Sequence, residues 1–301
     1  YFKIMFNTSQ MAAGVGSPIG VGMRDESSTL EPLNEKFLWD ESIKYSWEKD
    51  LKYKNSKDRK LNFIIPIRDR EKDLEHLISN LKIILEYQKI QYRIYIIEQS
   101  FSKKFFNKGK IINAAFKESL KDDFSDTYII HDVDNIPLTQ NIINYYNEDD
   151  LKCLYGDHWC LGCIFSVSKN VFKRVNGFSN SYWGWGFEDT DFQKRNEFFN
   201  ISFNKEQMIG RRKTNLIKDI ENWSDEKRLY FDPVANNWFT GDNVDKMTNL
   251  HFFDKIWWSR KPDAEILKIV KRDGLKNCTY KIVDQYLYQN NKNIIRTIIN
   301  I

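Results

Sequence analysis

The sequence predicts an α/β protein built on a mixed, mostly parallel central sheet. Apolar runs typical of strands alternate with segments of helical periodicity from residue 60 onward. The runs themselves are almost continuously apolar, which is typical of parallel strands that are covered on both faces. Residues 1–58 lack this pattern, so we expect an irregular or helical N-terminal extension before a domain at 59–301.

The elements follow one another in a regular order. A first strand, KLNFIIP, begins at Lys60 and is expected to stop at Pro66, because proline cannot donate to a strand ladder. Two further strands are predicted at YRIYIIEQS (92–100) and DTYIIHDVD (126–134). Two segments have the spacing of amphipathic helices: EKDLEHLISNLKIILEYQ (71–88), between the first and second strands, and KGKIINAAFKESL (108–120), between the second and third. The polar residues after each strand should therefore meet in one crevice at the carboxyl edge of the sheet.

Composition excludes several classes of function. The net charge of +4 arises from 46 basic and 42 acidic residues, a balance that does not favour nucleic-acid binding. No run approaches the roughly 18 apolar residues of a membrane span, so we expect no transmembrane segment. The four cysteines favour free thiols and a reducing compartment. The expected localisation is cytoplasmic or peripheral to a membrane, with the Golgi lumen as the alternative if an upstream anchor was removed.

Two carboxylates at the end of the third predicted strand indicate a cation site. Asp132 and Asp134 are two residues apart, so in a strand they would lie on the same face. Their mutual repulsion is relieved if Mn²⁺ or Mg²⁺, which prefer oxygen ligands and often bridge to substrate phosphates, binds there. The alternative is that the pair only caps a turn.

A second cluster, WGWGFEDTDF (183–192), is typical of a saccharide site. Aromatic faces can stack on sugar rings while the acids at Glu188, Asp189 and Asp191 bind hydroxyls. The alternative is a Trp-rich loop that packs on the core before an acidic helix N-terminus.

These segments, in this order, resemble the β-1,4-galactosyltransferase family of inverting GT-A glycosyltransferases. The similar segments are FIIPIRDRE, IYIIEQ with FFNKGKIINAAF, HDVDNIPL, VNGFSNSYWGWGFEDTDF and RDGLKNCTYKIVD, and they span about residues 60–301. The resemblance implies a Rossmann-like fold that binds a nucleotide sugar. It also implies a UDP-sugar and metal half at 59–175 and an acceptor half at 176–301, with an insertion at about 204–243.

The resemblance also implies roles for particular residues. Asp189 would be the catalytic base, and Asp134 and His251 would ligate Mn²⁺ or Mg²⁺. Lys108 stands where the family usually has arginine, which keeps the charge but loses the bidentate fork. The remaining implied contacts are to the nucleotide, from Pro66, Ile67, Arg68, Arg70, Phe106, Asn107, Lys108 and Val133, and to the donor or acceptor sugar, from Asp132, Gly162, Trp183, Trp185, Glu188 and Asp191.

The expected reaction is metal-dependent transfer of galactose or N-acetylgalactosamine, with inversion, from UDP-Gal or UDP-GalNAc to a saccharide or glycoconjugate acceptor. UDP-GalNAc is a candidate because Cys160 falls near the position of a bulky family tyrosine, and a small residue leaves room for an acetamido group. Two alternatives remain. One is a polymerase-type GT-A transferase that uses UDP-GlcNAc or UDP-glucuronate, and the other is an inactive carbohydrate-binding homologue.

Overall fold

The computed structural model describes residues 37, 59–102, 104–157, 160–211, 213–219, 230–232, 237–239 and 241–301. The described strands are β1 (Lys60–Ile67), β2 (Gln91–Gln99), β3 (Thr127–His131), β4 (Asn135–Pro137), β5 (Leu151–Gly156), β6 (Ile164–Ser168), β7 (Ile209–Gly210), β8 (Ile217–Asp219), β9 (Tyr230–Asp232), β10 (Asn237–Phe239), β11 (Lys281–Leu287) and β12 (Ile294–Asn300). The main element is an eight-stranded sheet with the strand order β11-β12-β2-β1-β3-β6-β5-β7.

The helices alternate with the strands in the first part of the chain. They are α1 (Glu71–Tyr87), α2 (Lys108–Ser119), α3 (Lys169–Arg174), α4 (Glu188–Phe198), α5 (Gly241–Trp257) and α6 (Asp263–Arg272). The predicted order strand–helix–strand–helix–strand is therefore confirmed. The helix considered at 33–53 lies outside the described residues apart from Phe37.

The centre of the sheet is parallel, as predicted. β1 pairs in parallel with β2 on one side and β3 on the other, and β12 adds a further parallel strand next to β2. β6 runs antiparallel to β3 and β5, which makes the sheet mixed. β1 continues through Pro66 to Ile67, one residue past the predicted end. Proline is tolerated there because β3 pairs with β1 only at Asn62–Ile64.

Alternate side chains of β1 enter two separate cores, because strand side chains alternate between the faces of a sheet. Phe63 and Ile65 pack with Leu77 and other apolar residues of α1. Ile64 packs on the opposite face with Ile112 and Phe116 of α2. This double coverage explains why the strands are apolar throughout.

The third strand ends earlier than predicted. β3 stops at His131, and residues 132–134 form a turn in which Asn135 N–H donates to the carbonyl of Asp132 at 3.3 Å. The prediction that Asp132 and Asp134 share one face of a strand is therefore wrong. The pair lies beyond the carboxyl end of β3, where a ligand-binding edge is expected.

The predicted insertion at about 204–243 contributes strands to two sheets. β7 joins the edge of the large sheet beside β5, and β8 pairs antiparallel with β4, which follows the acidic turn. No described helix is long and apolar enough to cross a membrane.

Candidate active site

The acidic turn after β3 is held by the neighbouring strand and approached by a cation. Asp132 N–H donates to the carbonyl of Cys163 at 2.9 Å, which fixes the turn beside β6. Arg70, at the end of the β1–α1 loop, brings Nη1 to 3.6 Å from Oδ2 of Asp134. Arg70 is itself oriented by Asp73, whose Oδ2 lies 2.5 Å from its Nε. The structure thus brings together Arg70 and the aspartate pair, as the sequence predicted.

The surroundings of Asp134 disfavour its ionised form. Burial, followed by repulsion from Asp132, raises the pKa of Asp134 to about 6, and Arg70 offsets only part of this. The described residues contain no group of three or more His, Cys, Asp or Glu side chains arranged to hold a metal ion. Mg²⁺ and Mn²⁺ that bind with substrate phosphates commonly take one or two protein carboxylates, so the crowded pair fits such an ion.

The Trp–Gly loop, residues 183–187, lies against the loop that precedes α2. Gly184 N–H donates to the carbonyl of Phe106 at 2.7 Å, and Lys104 Nζ lies 5.5 Å from the ring centroid of Trp183. From the other side, Asn249 of α5 donates to the carbonyls of Trp183 and Trp185 at 3.1 and 3.3 Å. The side chain of Trp185 remains 53% exposed.

α4 begins at the end of this loop and directs two acids into the cleft. Phe187 precedes it with a left-handed φ of 69°, an uncommon conformation for a bulky residue. The following Glu188 and Asp189 occupy the first turn, where the helix dipole favours negative charge. Gly162 permits close approach of the base, because a Cβ at this position would lie 2.8 Å from Oδ2 of Asp189.

A single lysine joins the two acidic clusters. Lys108 Nζ, at the first position of α2, lies 2.9 Å from Oδ1 of Asp132 and 3.0 Å from Oδ2 of Asp189. Its side chain is 11% exposed, so this ion triad is largely shielded from water. The two aspartates raise the pKa of Lys108 well above its ordinary value, outweighing the opposing effect of burial. The sequence placed Lys108 near the nucleotide but did not indicate that it contacts the proposed base.

Both cleft acids of α4 retain an oxygen without a partner. Oδ1 of Asp189 and Oε2 of Glu188 are buried and accept no hydrogen bond. Burial raises the pKa of Asp189 to about 8, with Lys108 lowering it and Glu188 raising it further. Burial likewise raises the pKa of Glu188. Two unpartnered acceptors in one cleft are suited to a ligand that brings hydroxyl groups.

Apart from Arg70 and Lys108, the predicted nucleotide residues fall into three groups. Arg68 and Phe106 lie together at the cleft, with the guanidinium carbon 5.7 Å from the ring centroid, and Arg68 Nη1 donates to the carbonyl of Lys104 at 2.9 Å. Asn107 instead caps α2, since its Oδ1 accepts from Lys110 N–H at 2.9 Å and its Nδ2 donates to the carbonyl of Asn180 at 2.8 Å. The others are buried: Pro66, Ile67 and Val133.

Asp191 does not lie where the sequence placed it. Its side chain is fully buried and accepts from Arg195 Nε at 2.6 Å, Trp257 Nε1 at 2.8 Å and Tyr182 Oη at 3.2 Å. All of its bonding capacity is thus directed into the protein. The prediction of a sugar contact at Asp191 is therefore corrected to a structural role at the base of α4.

His251 lies on an exposed side of α5. Asn249 and Phe253 of the same helix contact the Trp–Gly loop and the ring of Phe187. An α-helix turns by about 100° per residue, so His251, which is two residues from both Asn249 and Phe253, lies on the opposite side of α5 from them. His251 is accordingly exposed. The ligation of Mn²⁺ or Mg²⁺ by His251 together with Asp134 stays a prediction.

Three residues near the acidic turn were missed by the sequence predictions. Asn135 Nδ2 donates to Oδ1 of Asp219 at 3.1 Å, and Arg211 Nε lies 2.6 Å from Oδ2 of the same carboxylate. The contact depends on the pairing of β4 with β8, which are more than eighty residues apart in sequence. No local motif indicates such a pairing.

Comparison with solved structures defines the class of fold. A Drosophila β-1,4-galactosyltransferase 7 mutant, solved in complex with manganese, UDP-Gal and xylobiose, superimposes with a TM-score of 0.60 at 24% identity, covering 81% of this chain and 94% of that one. The catalytic domain of the same Drosophila enzyme with xylobiose gives a TM-score of 0.56. Together with the mixed, mostly parallel sheet, this likeness places the protein in the GT-A class of α/β folds.

Sequence comparisons define the family. The family model described as the N-terminal region of glycosyl transferase group 7 matches residues 46–148, and the one described as the N-terminal domain of galactosyltransferase matches residues 145–217. The two models together match more than half of the chain. The chain therefore belongs to glycosyltransferase group 7, the family of the β-1,4-galactosyltransferases, which confirms the resemblance.

Individual relatives are similar over most of this chain but extend beyond it. β-1,4-Galactosyltransferase 4 of Cricetulus griseus is 31% identical over 239 residues, which are 75% of this chain and 59% of that protein. Human β-1,4-galactosyltransferase 1 is 31% identical over 240 residues, which are 76% of this chain and 52% of that protein. The chain thus spans between half and three-fifths of the length of these relatives.

Proposed function

We propose that the protein is an inverting glycosyltransferase that moves galactose from UDP-galactose to a hydroxyl of a saccharide acceptor. The observation that carries this proposal is the Lys108 bridge between Asp132 and Asp189. It joins the acidic turn to the Trp–Gly loop in one cleft, and it leaves Oδ1 of Asp189 buried and unpartnered. The Drosophila relative solved with manganese, UDP-Gal and xylobiose supports the same donor and class of acceptor.

Asp189 is the proposed general base. Its Oδ2 is held by Lys108, which leaves Oδ1 to accept the proton of an acceptor hydroxyl. The acceptor oxygen then forms a bond to the anomeric carbon while the bond from that carbon to the UDP oxygen breaks. Attack from the side opposite UDP inverts the configuration from α to β. General-base assistance of this kind contributes about 10²–10⁴ in rate.

The other cleft residues position the two substrates. Trp185, whose side chain is 53% exposed, would lie over the sugars, and the unpartnered Oε2 of Glu188 accepts from a sugar hydroxyl. Arg70 and Arg68 contribute positive charge at the diphosphate side. Asp134, with Asp132 beside it, would hold Mn²⁺ or Mg²⁺, which when bound supplies Lewis-acid stabilisation of the departing diphosphate.

UDP-GalNAc is a second candidate donor because of Cys160. This small side chain is buried, and its Sγ lies 3.7 Å from the Cβ position of Gly162, next to Asp189. A donor screen with UDP-Gal, UDP-GalNAc, UDP-GlcNAc and UDP-glucuronate, read as UDP release, decides among the donors. A preference for either of the last two would favour the polymerase-type alternative.

The base is tested with Asp189→Asn, which keeps the shape of the side chain but cannot accept the proton. We expect transfer to fall by about 10²–10⁴ while calorimetry shows donor binding retained. Glu197→Gln is the matched control, because it removes an exposed carboxylate from the same helix. Undiminished transfer by Asp189→Asn would contradict the mechanism. Saccharide binding without transfer from any donor by the unaltered protein would favour the inactive homologue.

A further inference from the structure

The start of α1 is held by an arginine of β12. Nη1 of Arg296 lies 2.8 Å from Oε2 of Glu71, the first residue of α1. Nη2 of Arg296 lies 2.7 Å from Oε2 of Glu98, the last residue but one of β2. The Arg296 side chain is 11% exposed, so both ion pairs are largely shielded from water on the arginine side. Arg296 thus ties the first turn of α1 to the parallel strands β2 and β12.

A tyrosine between β11 and β12 contacts the same carboxylate. Tyr288 Oη donates to Oε1 of Glu71 at 3.2 Å, and the guanidinium carbon of Arg296 lies 5.7 Å from the centroid of the tyrosine ring. Tyr288 is buried. We call Glu71, Tyr288 and Arg296 together the α1 clasp. Its charge-assisted bonds fix direction as well as distance, because the planar guanidinium presents its donors in a rigid fork.

The local chain gives the start of α1 little support of its own. β1 ends at Ile67 and α1 begins at Glu71, so the connection between them is short. Within it, Asp69 has a left-handed φ of 55°, which is uncommon for a residue other than glycine. Arg70, which directly precedes α1, makes no side-chain cap hydrogen bond to the helix. A side-chain cap is a common local restraint on a helix start, and here the α1 clasp supplies a restraint from a distant strand.

The residue that the α1 clasp restrains is next to the cleft. Arg70 adjoins Glu71 in the chain and brings Nη1 to 3.6 Å from Oδ2 of Asp134. A cavity of about 540 Å³ at this place is lined by Asp69, Arg70, Glu71, Lys72, Asp73, Glu98 and Arg296. A shift of the first turn of α1 would therefore carry Arg70 away from the acidic turn.

We propose that Arg296 is a positioning residue for the nucleotide-sugar donor, and that it acts through Glu71 on Arg70. The inference rests on the proposed function, in which Arg70 contributes positive charge at the diphosphate side of the cleft. Both terminal nitrogens of Arg296 are engaged by carboxylates, so its part is to hold α1 in place and not to bind the diphosphate. Donor affinity thus depends on a strand that the acidic turn and the Trp–Gly loop do not include.

The test is UDP binding to the full chain, measured by calorimetry with Mn²⁺ present and without any transfer reaction. We expect Arg296→Met to raise the Kd for UDP by about tenfold, because a displaced binding group loses much of its contribution. Arg93→Met is the matched control. Arg93 also links β2 to the start of β12, since its Nη1 donates to the carbonyl of Lys292 and, at 3.4 Å, to Oδ1 of Asn293, but it does so at the amino end of the strands. Arg93→Met should bind UDP like the unaltered protein.

Two further variants test the route from Arg296 to Arg70. Glu71→Ala opens the α1 clasp from its more exposed side, where the carboxylate is 49% exposed, so it should weaken UDP binding like Arg296→Met at a smaller cost in stability. In an Arg70→Met background, Arg296→Met should change the Kd for UDP by less than about twofold, because residues that act through one another are not additive. Urea denaturation monitored by circular dichroism confirms that each variant is folded.

The outcomes separate this inference from the proposed function. Unchanged UDP binding in Glu71→Ala, equal losses in Arg93→Met and Arg296→Met, or multiplied effects of Arg70→Met and Arg296→Met would each overturn the positioning role while the transferase proposal stands. If the expected pattern of UDP affinities is found but the unaltered protein transfers no sugar, the transferase proposal fails and Arg296 keeps its role in nucleotide binding. If the unaltered protein binds no UDP even with Mn²⁺, both fail.

Discussion

The buried ion pair of Asp191 with Arg195 tests the conclusion that Asp191 has a structural role and does not bind a sugar. Asp191 and Arg195 are four residues apart on α4, and their side chains are 0% and 1% exposed. Arg195 also donates from Nη1 to the carbonyl of Asp273 at 2.7 Å. The pair therefore links α4, which carries the proposed base, to the segment that follows α6.

The expected cost of breaking the pair follows from its burial. In Asp191→Asn the amide nitrogen would meet the N–H donors of Arg195 and Trp257. The buried guanidinium would lose its closer carboxylate and keep only that of Asp273, whose Oδ2 lies 3.6 Å from Nη2. Removing one partner of a buried ion pair costs about 3–5 kcal/mol. This is a large fraction of the roughly 5–15 kcal/mol by which a folded protein is stabilised.

The assay is urea denaturation followed by circular dichroism. For an m value of about 3 kcal/mol per M, Asp191→Asn should lower the urea midpoint by about 1–2 M. The matched control is Glu197→Gln on the same helix, because its pair with Lys194 is exposed on both sides and such pairs contribute about 0–1 kcal/mol. An unchanged midpoint for Asp191→Asn, combined with lost acceptor binding, would refute the structural role and restore the sugar contact that the sequence suggested.

Two further predictions concern residues next to the cleft. Burial lowers the pKa of His131 to about 4, below its ordinary value of 6.5, so its contribution to stability is present above pH 6.5 and is lost as pH falls towards 4. The loss amounts to about 3 kcal/mol of unfolding free energy. The measurement compares the unfolding free energy of the unaltered protein with that of His131→Gln from pH 7 to pH 4, and we expect the difference to shrink by this amount. A constant difference would contradict the prediction. Gly162→Ala would place a Cβ 2.8 Å from Oδ2 of Asp189 and displace the base. We therefore expect kcat to fall on the order of 10²-fold, with the unfolding midpoint nearly unchanged. An unaltered kcat would show that the base has room to move.

The first half of the fold could be predicted from sequence because its signals are local. Each strand from β1 to β3 is a short apolar run, and α1 places apolar residues at helical spacing, as at Leu74, Leu77 and Leu81. The parallel arrangement then follows from the alternation of strands with helices. The end of β3 was misplaced because Val133 continues the apolar pattern, although it is buried in a turn.

The acidic cluster shows that a sequence motif does not assign a role to each of its residues. Glu188, Asp189 and Asp191 are equally acidic in sequence, but a helix turns by about 100° per residue, so they cannot all face the cleft. A local signal for the distinction was present, since Arg195 lies four residues after Asp191, the spacing at which ion pairs form on a helix. Once α4 is known to begin at Glu188, that spacing separates the structural acid from the cleft acids.

Long-range strand pairing accounts for the contacts beside the acidic turn that no local signal indicates. His251 was chosen because His251 and Asp254 resemble the family's H-x-x-D spacing and histidine is scarce, and its role as a ligand stays a prediction. Asp219 comes to Asn135, the residue after Asp134, through the pairing of β4 with β8, and these two residues are 84 positions apart. A carboxylate beside the acidic turn adds negative charge there, and the two contacts of Arg211 with Asp219 offset that charge. The sequence could not indicate this compensation, because Arg211 and Asp219 come next to the turn only when β4 pairs with β8.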